Sequence, residues 1–192
     1  MTDKNEEVKR KRRTMTIVKA YTFGLLLIAI MLNVFVFGVN PPTVAIPSTG
    51  SIGSLIVAAA LLVINHTWLM TTTELTRVRF NLYSTPEEWA ASGTKQQDAP
   101  KEGLRELERR HNAHRNTTEN AVYFMLLALV FAFVSPPTVA VQAWIIGFPI
   151  ARLGYTYSYL AGNTSARGFF MSLSLLTMYG MAAYLVISLI AR

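Results

Sequence analysis

Polar and apolar positions alternate along this chain on the scale of a lipid bilayer. Ile17 to Phe37 supplies roughly 20 largely apolar residues, enough to cross a hydrocarbon layer of about 30 Å as a helix. A second run, Ile52 to about Phe80, begins apolar and ends polar, passing through Asn65-His66-Thr67-Trp68 and then Thr71 to Arg79. The third starts hydrophilic at Glu108 and becomes apolar from Ala121 to Val134. A fourth runs from about Val139 to Leu160, and a fifth from Arg167 to Ile190. The pattern predicts an all-α integral membrane bundle. Two connectors, Asn40–Gly50 and Ser135-Pro-Pro-Thr138, are uncharged and turn-rich. The only long hydrophilic connector, 81–103, carries a helix start at Ser84-Thr85-Pro86-Glu87-Glu88, where proline suits the first turn and the acids suit the helix dipole.

This divides the chain into a polar, disordered basic N-terminus (1–14), an additional transmembrane helix (15–38) and a four-helix unit (52–192). A cleaved signal peptide has an apolar region of only about 7–15 residues, so the first span is read as retained.

Composition agrees: 52% of residues are hydrophobic and 15% charged, against about 25% charged in soluble domains. Mean hydropathy is +0.32. The net charge of +7 does not point to nucleic acid, because much of it lies in Lys9-Arg10-Lys11-Arg12-Arg13, just before an apolar span. Such a cluster reads as a topology signal or an anchor to anionic membrane lipids. The basic N-terminus, the Lys/Arg-flanked 81–103 connector and the Arg152/Arg167 turn then belong on the cytoplasmic side, with the two Pro-Pro connectors outside. Five spans satisfy that alternation. The absence of cysteine excludes disulfides, thiolate metal sites and a protein thiol nucleophile. No metal site is expected from His66, His111 and His114: His66 lies on another span, and His114 points away from the stripe described next.

On a helix, Glu108, Asn112, Arg115 and Glu119 share one face, with Asn116 at its flank. Such groups are costly to desolvate and need partners or a polar ligand. Arg152, Tyr155, Thr156 and Tyr159 make a second stripe, and His66, Thr73 and Arg77 share a face of the second span, where Arg77 can pair with Glu74. Arg167 would sit near a helix N-terminus, where a cation opposes the dipole and a local anion would relieve the conflict. The bland alternatives are an interfacial helix end and a snorkelling Arg152. The convergence of all these groups at the cytoplasmic end points instead to a site for a small, highly charged ligand.

At Glu108-Arg109-x-x-x-Ala113-x-x-Asn116-x-x-Glu119 the sequence resembles the signature of the MAPEG family, membrane-associated proteins in eicosanoid and glutathione metabolism. Arg77-Val-Arg79 with Ser84-Thr-Pro-Glu-Glu88, Ala113-His-Arg-Asn116, Arg152-x-x-Tyr155-Thr156-x-x-Tyr159-Leu160, and Arg167 with Phe169-Phe170 are similar to further family elements, in the family's order. The resemblance covers about three quarters of the chain and is strongest to the family's microsomal glutathione transferase and prostaglandin synthase branches. It implies a homotrimer of four-helix subunits, glutathione held between neighbouring subunits near the cytoplasmic face, and a lipophilic substrate entering from the bilayer. Carried over by position, Arg77, Arg115, Asn116, Glu119, Tyr155, Tyr159 and Arg167 would hold glutathione, with Arg167, Arg152 and Tyr159 at the chemistry. Asn112 stands where many members have Arg, Tyr155 replaces a His, and Gly168 and Met171 replace a Ser and a Tyr of the prostaglandin branch.

The expected function is therefore a glutathione transferase that conjugates lipophilic electrophiles, with hydroperoxide reduction as a further activity. The alternatives are a prostaglandin isomerase and a non-catalytic lipid-binding adaptor on the same scaffold. A small transporter is a third reading, which the one-sided convergence of charge argues against. The membrane is either a bacterial inner membrane or the endoplasmic reticulum.

Overall fold

The computed structural model describes residues 2–190. Helix α1 (Thr2–Met31) runs on into a π-helical turn, Leu32–Phe37. After an extended connector come α2 (Thr49–Phe80), the short α3 (Pro86–Ser92) and a 3-10 turn, Gln96–Asp98. Then follow α4 (Lys101–Phe133), α5 (Thr138–Val141), a π-helical turn over Gln142–Ile146, α6 (Gly147–Leu160) and α7 (Thr164–Ile190). Four helical runs are long and apolar enough to cross a membrane: Glu6–Phe37, Thr49–Phe80, Lys101–Phe133 and Thr164–Ile190. The fourth expected span is helical throughout from Thr138 to Leu160, but its α-helical winding is interrupted by the π turn.

The ends of these helices are written in the sequence. Ser48 caps α2 by accepting the Ser51 N–H at 3.1 Å. Asn81 ends that helix in the left-handed conformation, φ 52°, donating back to the Arg77 and Val78 carbonyls. Thr85 caps α3 by accepting the Glu88 N–H, and the Glu88 carboxylate accepts the Ser84 N–H at 2.7 Å. Glu87 in that first turn is held below the usual carboxylate range by hydrogen bonding to its own backbone N–H and to Thr85. Asn163 caps α7 by accepting the Ala166 N–H.

The core lies between α4, α6, α7 and the second π turn. Phe124 stacks on Phe148 with centroids 4.1 Å apart, and Phe131 meets the Tyr184 ring edge-on. Trp144 lies flat against Gly180, where any Cβ would come within 2.5 Å of the indole. Outside the core, Ile56, Val57, Ile64, Val122, Met125 and Leu126 face outward, as spans solvated by lipid do.

The additional helix is docked rather than loose. Asn33, fully buried, donates to the Gly180 carbonyl at 2.8 Å and accepts the Trp144 indole N–H at 2.9 Å. About three turns nearer the N-terminus, Tyr21 donates to Ser172. An unpaired indole N–H in an apolar interior costs about 1–3 kcal/mol. Asn33→Leu is accordingly expected to lower thermal stability in detergent by about that amount with helix content unchanged; circular-dichroism melts measure both.

The reading of residues 1–14 as a disordered tail includes Met1, which lies outside the described residues. From Thr2 the chain is helical. Lys11 pairs with Glu7 at 2.7 Å, and the Thr14 and Thr16 hydroxyls bond carbonyls one turn back. The physical reason is propagation. Once the apolar span is helical, a Lys/Arg/Glu-rich extension without Gly or Pro lengthens it at little cost.

Candidate functional site

Cross-helix contacts fix the depth of each polar residue. Helices α2 and α4 run antiparallel, pinned by Arg110 Nε donating to the Thr72 carbonyl (3.1 Å) and by His114 Nε2 against His66 Nδ1 (3.1 Å). Helices α2 and α6 run parallel, with Gly50 beside Thr138 and the Trp68 and Tyr157 rings 6.5 Å apart. The sequence reading kept His66 apart from His114; antiparallel packing sets them level, and they meet.

Between α4, α6 and the start of α7 an open pocket of about 380 Å³ is lined by Asn116, Tyr155, Tyr159, Thr164, Arg167, Gly168 and Met171. The Arg167 guanidinium lies over the Tyr159 ring at 4.9 Å, and the Tyr155 and Tyr159 rings are 5.5 Å apart. Arg152 stands behind this wall, fully buried. One of its terminal nitrogens donates to Asn116 Oδ1 at 2.9 Å and to Thr117 Oγ1 at 2.7 Å; the other faces Met171 Sδ at 3.7 Å. Its carbon lies 4.1 Å from the Tyr155 ring centroid. Arg152 thus touches three residues of the pocket wall without reaching the surface, so it does not snorkel. Among the described residues neither Arg152 nor Arg167 pairs with a carboxylate.

Of the residues singled out from sequence, Asn116, Arg152, Tyr155, Tyr159 and Arg167 are gathered here within one chain. The others are not. Arg77 sits in the groove between α2 and α4, bonded to Glu74 and 3.5 Å from His111 Nε2. Arg115 and Glu119 are exposed on α4, where Arg115 donates to Asn112 Oδ1 at 2.7 Å. Arg109 and Arg110 both reach Glu106, and Arg110 is spent tying α4 to α2. Thr117 and Thr164 went unnoticed in the sequence. Thr117 stands next to Asn116 but off the charged stripe, and Thr164 falls inside what reads as a turn.

An α-helical membrane bundle with buried basic and phenolic groups at one polar end is the class that fold and site define together. The MAPEG family model matches residues 55–187, and the chain belongs to the MAPEG family. The match starts after the docked N-terminal helix, which therefore lies outside the family core. The chain is similar to prostaglandin E synthase of Equus caballus, with 28% identity over 120 residues, covering 62% of this chain and 76% of that protein. It is similar to prostaglandin E synthase of Canis lupus familiaris at 27% identity over the same shares. The family includes glutathione transferases and prostaglandin E synthases, so this is a membrane protein of a glutathione-linked enzyme family.

Proposed function

We propose that the protein is a glutathione-dependent transferase acting on lipophilic electrophiles, working as a homotrimer with its site at the cytoplasmic end of the bundle. The observation that carries this is the pocket between α6 and α7. It presents one guanidinium, two phenols and an amide, is backed by a second guanidinium, and among the described residues has no carboxylate within pairing distance of either cation. Such a set fits a ligand that brings its own negative charge. Glutathione does so, with two carboxylates and a thiol.

Arg77, Arg115 and Glu119 lie away from this pocket in one subunit, and we infer that a neighbouring subunit supplies them. Glu119 suits the ligand's amino group, and the arginines suit its carboxylates. Bound glutathione supplies the nucleophilic thiol, which in free solution ionises near pH 8.5. The chain's task is to hold it as the anion. The Arg167 guanidinium and the hydroxyls of Tyr155 and Tyr159 can each stabilise sulfur charge, and a fall of two pKa units corresponds to about 2.7 kcal/mol.

Conjugation is favoured over prostaglandin isomerisation because Gly168 and Met171, both on the pocket wall, offer no hydroxyl there. The adaptor reading predicts no glutathione binding. The deciding experiment is a thermal shift of detergent-solubilised protein with millimolar glutathione. Ligand at a hundred times its dissociation constant stabilises by about 2.7 kcal/mol, a rise of several degrees. No shift, together with no conjugation of a chloronitrobenzene, would remove the enzymatic reading.

A further inference from the structure

One set of buried polar atoms is not used by the site described above. Asn65 on α2 is fully buried, and neither its Oδ1 nor its Nδ2 finds a partner among the described residues. The same holds for the Thr156 hydroxyl and for the Nε–H of Arg152, both on α6 and both fully buried. Leaving such groups unpaired costs about 1–3 kcal/mol each, more for a charged one, and native interiors avoid it.

These atoms share one depth. The Gly50–Thr138 and Trp68–Tyr157 contacts run at nearly the same offset, which sets Asn65 level with Leu153, between Arg152 and Thr156. The His66–His114 contact and the Arg110–Thr72 bond set Asn65 level with Asn116 and Thr117 on α4. Asn65 belongs to the inward stripe of α2, together with Ala58, Leu69, Thr73 and Thr76. It therefore faces the interior that α4 and α6 close, on a helix that packs against both and supplies no residue to the pocket lining.

We propose that Asn65 and Thr156 hold buried water against the Nε–H of Arg152, and that this polar layer fixes the guanidinium to the back of the pocket wall. The complementarity is chemical. A water accepts from Nε–H and donates to the Asn65 amide oxygen and the Thr156 hydroxyl, about the three bonds typical of an interior water. The Arg152 nitrogens are then engaged on both edges: Asn116, Thr117 and Met171 in front, water behind. Asn65 becomes a positioning residue, acting on the site from a helix that contributes nothing to the pocket lining.

The functional half of this inference rests on the glutathione reading; the structural half does not, and two measurements keep them apart. The first is a double-mutant cycle in thermal unfolding without glutathione, using Asn65→Leu, Thr156→Val and the pair. A shared water predicts that the double variant shifts the midpoint no further than the larger single shift; strictly additive shifts would overturn the layer. The second is the ultraviolet absorbance of the thiolate on bound glutathione as a function of pH. Thr156→Val, which is isosteric, is expected to move the midpoint up by about half to one pH unit, a roughly three- to tenfold fall in the thiol's acid dissociation constant, and Thr156→Ser is expected to restore it. An unmoved midpoint in Thr156→Val would reject the positioning role even if the cycle shows coupling. If the wild-type protein binds no glutathione, the functional reading fails while the stability cycle still decides the layer.

Discussion

Alanine at position 167 is expected to cut glutathione-dependent turnover by about 100-fold or more while leaving the thermal midpoint of the ligand-free protein nearly unchanged. The asymmetry follows from what Arg167 does in the fold. Its guanidinium makes one contact of note, over the Tyr159 ring at 4.9 Å, and reaches no carboxylate among the described residues. An exposed-side cation–π contact is worth about 0.5–1 kcal/mol, so the fold loses little. The reaction loses more, because removing one donor aimed at developing or resident negative charge costs about 2.7–4 kcal/mol. Placed in the first turns of α7, the cation also opposes the helix dipole, so its removal relieves a small unfavourable term. Arg167→Lys is expected to recover only part of the activity, since an ammonium keeps the charge but not the planar fork. Steady-state kinetics with a chloronitrobenzene, alongside size-exclusion and melting profiles, measure both variants against the wild type; wild-type kcat/KM in Arg167→Ala would defeat the assignment.

How much of this was legible beforehand depends on the kind of force involved. The helices were legible because lipid solvation writes itself as long apolar runs, and the start of α3 because Ser84-Thr85-Pro86 is a capping sequence followed by acids. The helicity of the basic tail was not legible, because charge and polarity in isolation read as disorder, whereas attachment to an existing helix changes the cost of extension. Spacing put Arg152, Tyr155 and Tyr159 on one face, since residues on one helix keep their faces. It could not show that Arg152 lies behind the wall rather than on it; that is set by Asn116 and Thr117 on α4. The meeting of His66 with His114 and the depth of Asn65 are likewise properties of helix pairs, and a periodicity argument treats one helix at a time.

Arg152→Met is expected to abolish glutathione-dependent activity and yet to raise the stability of the ligand-free protein by about 1–3 kcal/mol. A guanidinium with no solvent exposure and no carboxylate partner among the described residues is held at the expense of its hydration. Its bonds to Asn116, Thr117 and Met171 are to neutral groups, which offset only part of that loss. Exchanging buried ionic groups for apolar side chains of similar volume often stabilises by about 1–4 kcal/mol. Methionine has the length and flexibility to fill the same channel between α4 and α7 without leaving a cavity. The orphaned acceptors are tolerable: Asn116 borders the pocket and can turn to water, the Thr117 hydroxyl can bond a carbonyl one turn back on α4, and the water proposed behind Nε keeps Asn65 and Thr156 as partners. The activity should fall because Asn116 and Tyr155 lose the group that fixes them, and because the site loses a positive charge close behind the pocket. Arg152→Ala separates the two effects, since it removes the same charge but opens a cavity, and it is expected to melt below the wild type. A ligand-free Arg152→Met protein that melts well below the wild type would mean that the guanidinium holds the bundle together, and its cost would then not be a stability given up for the sake of the site.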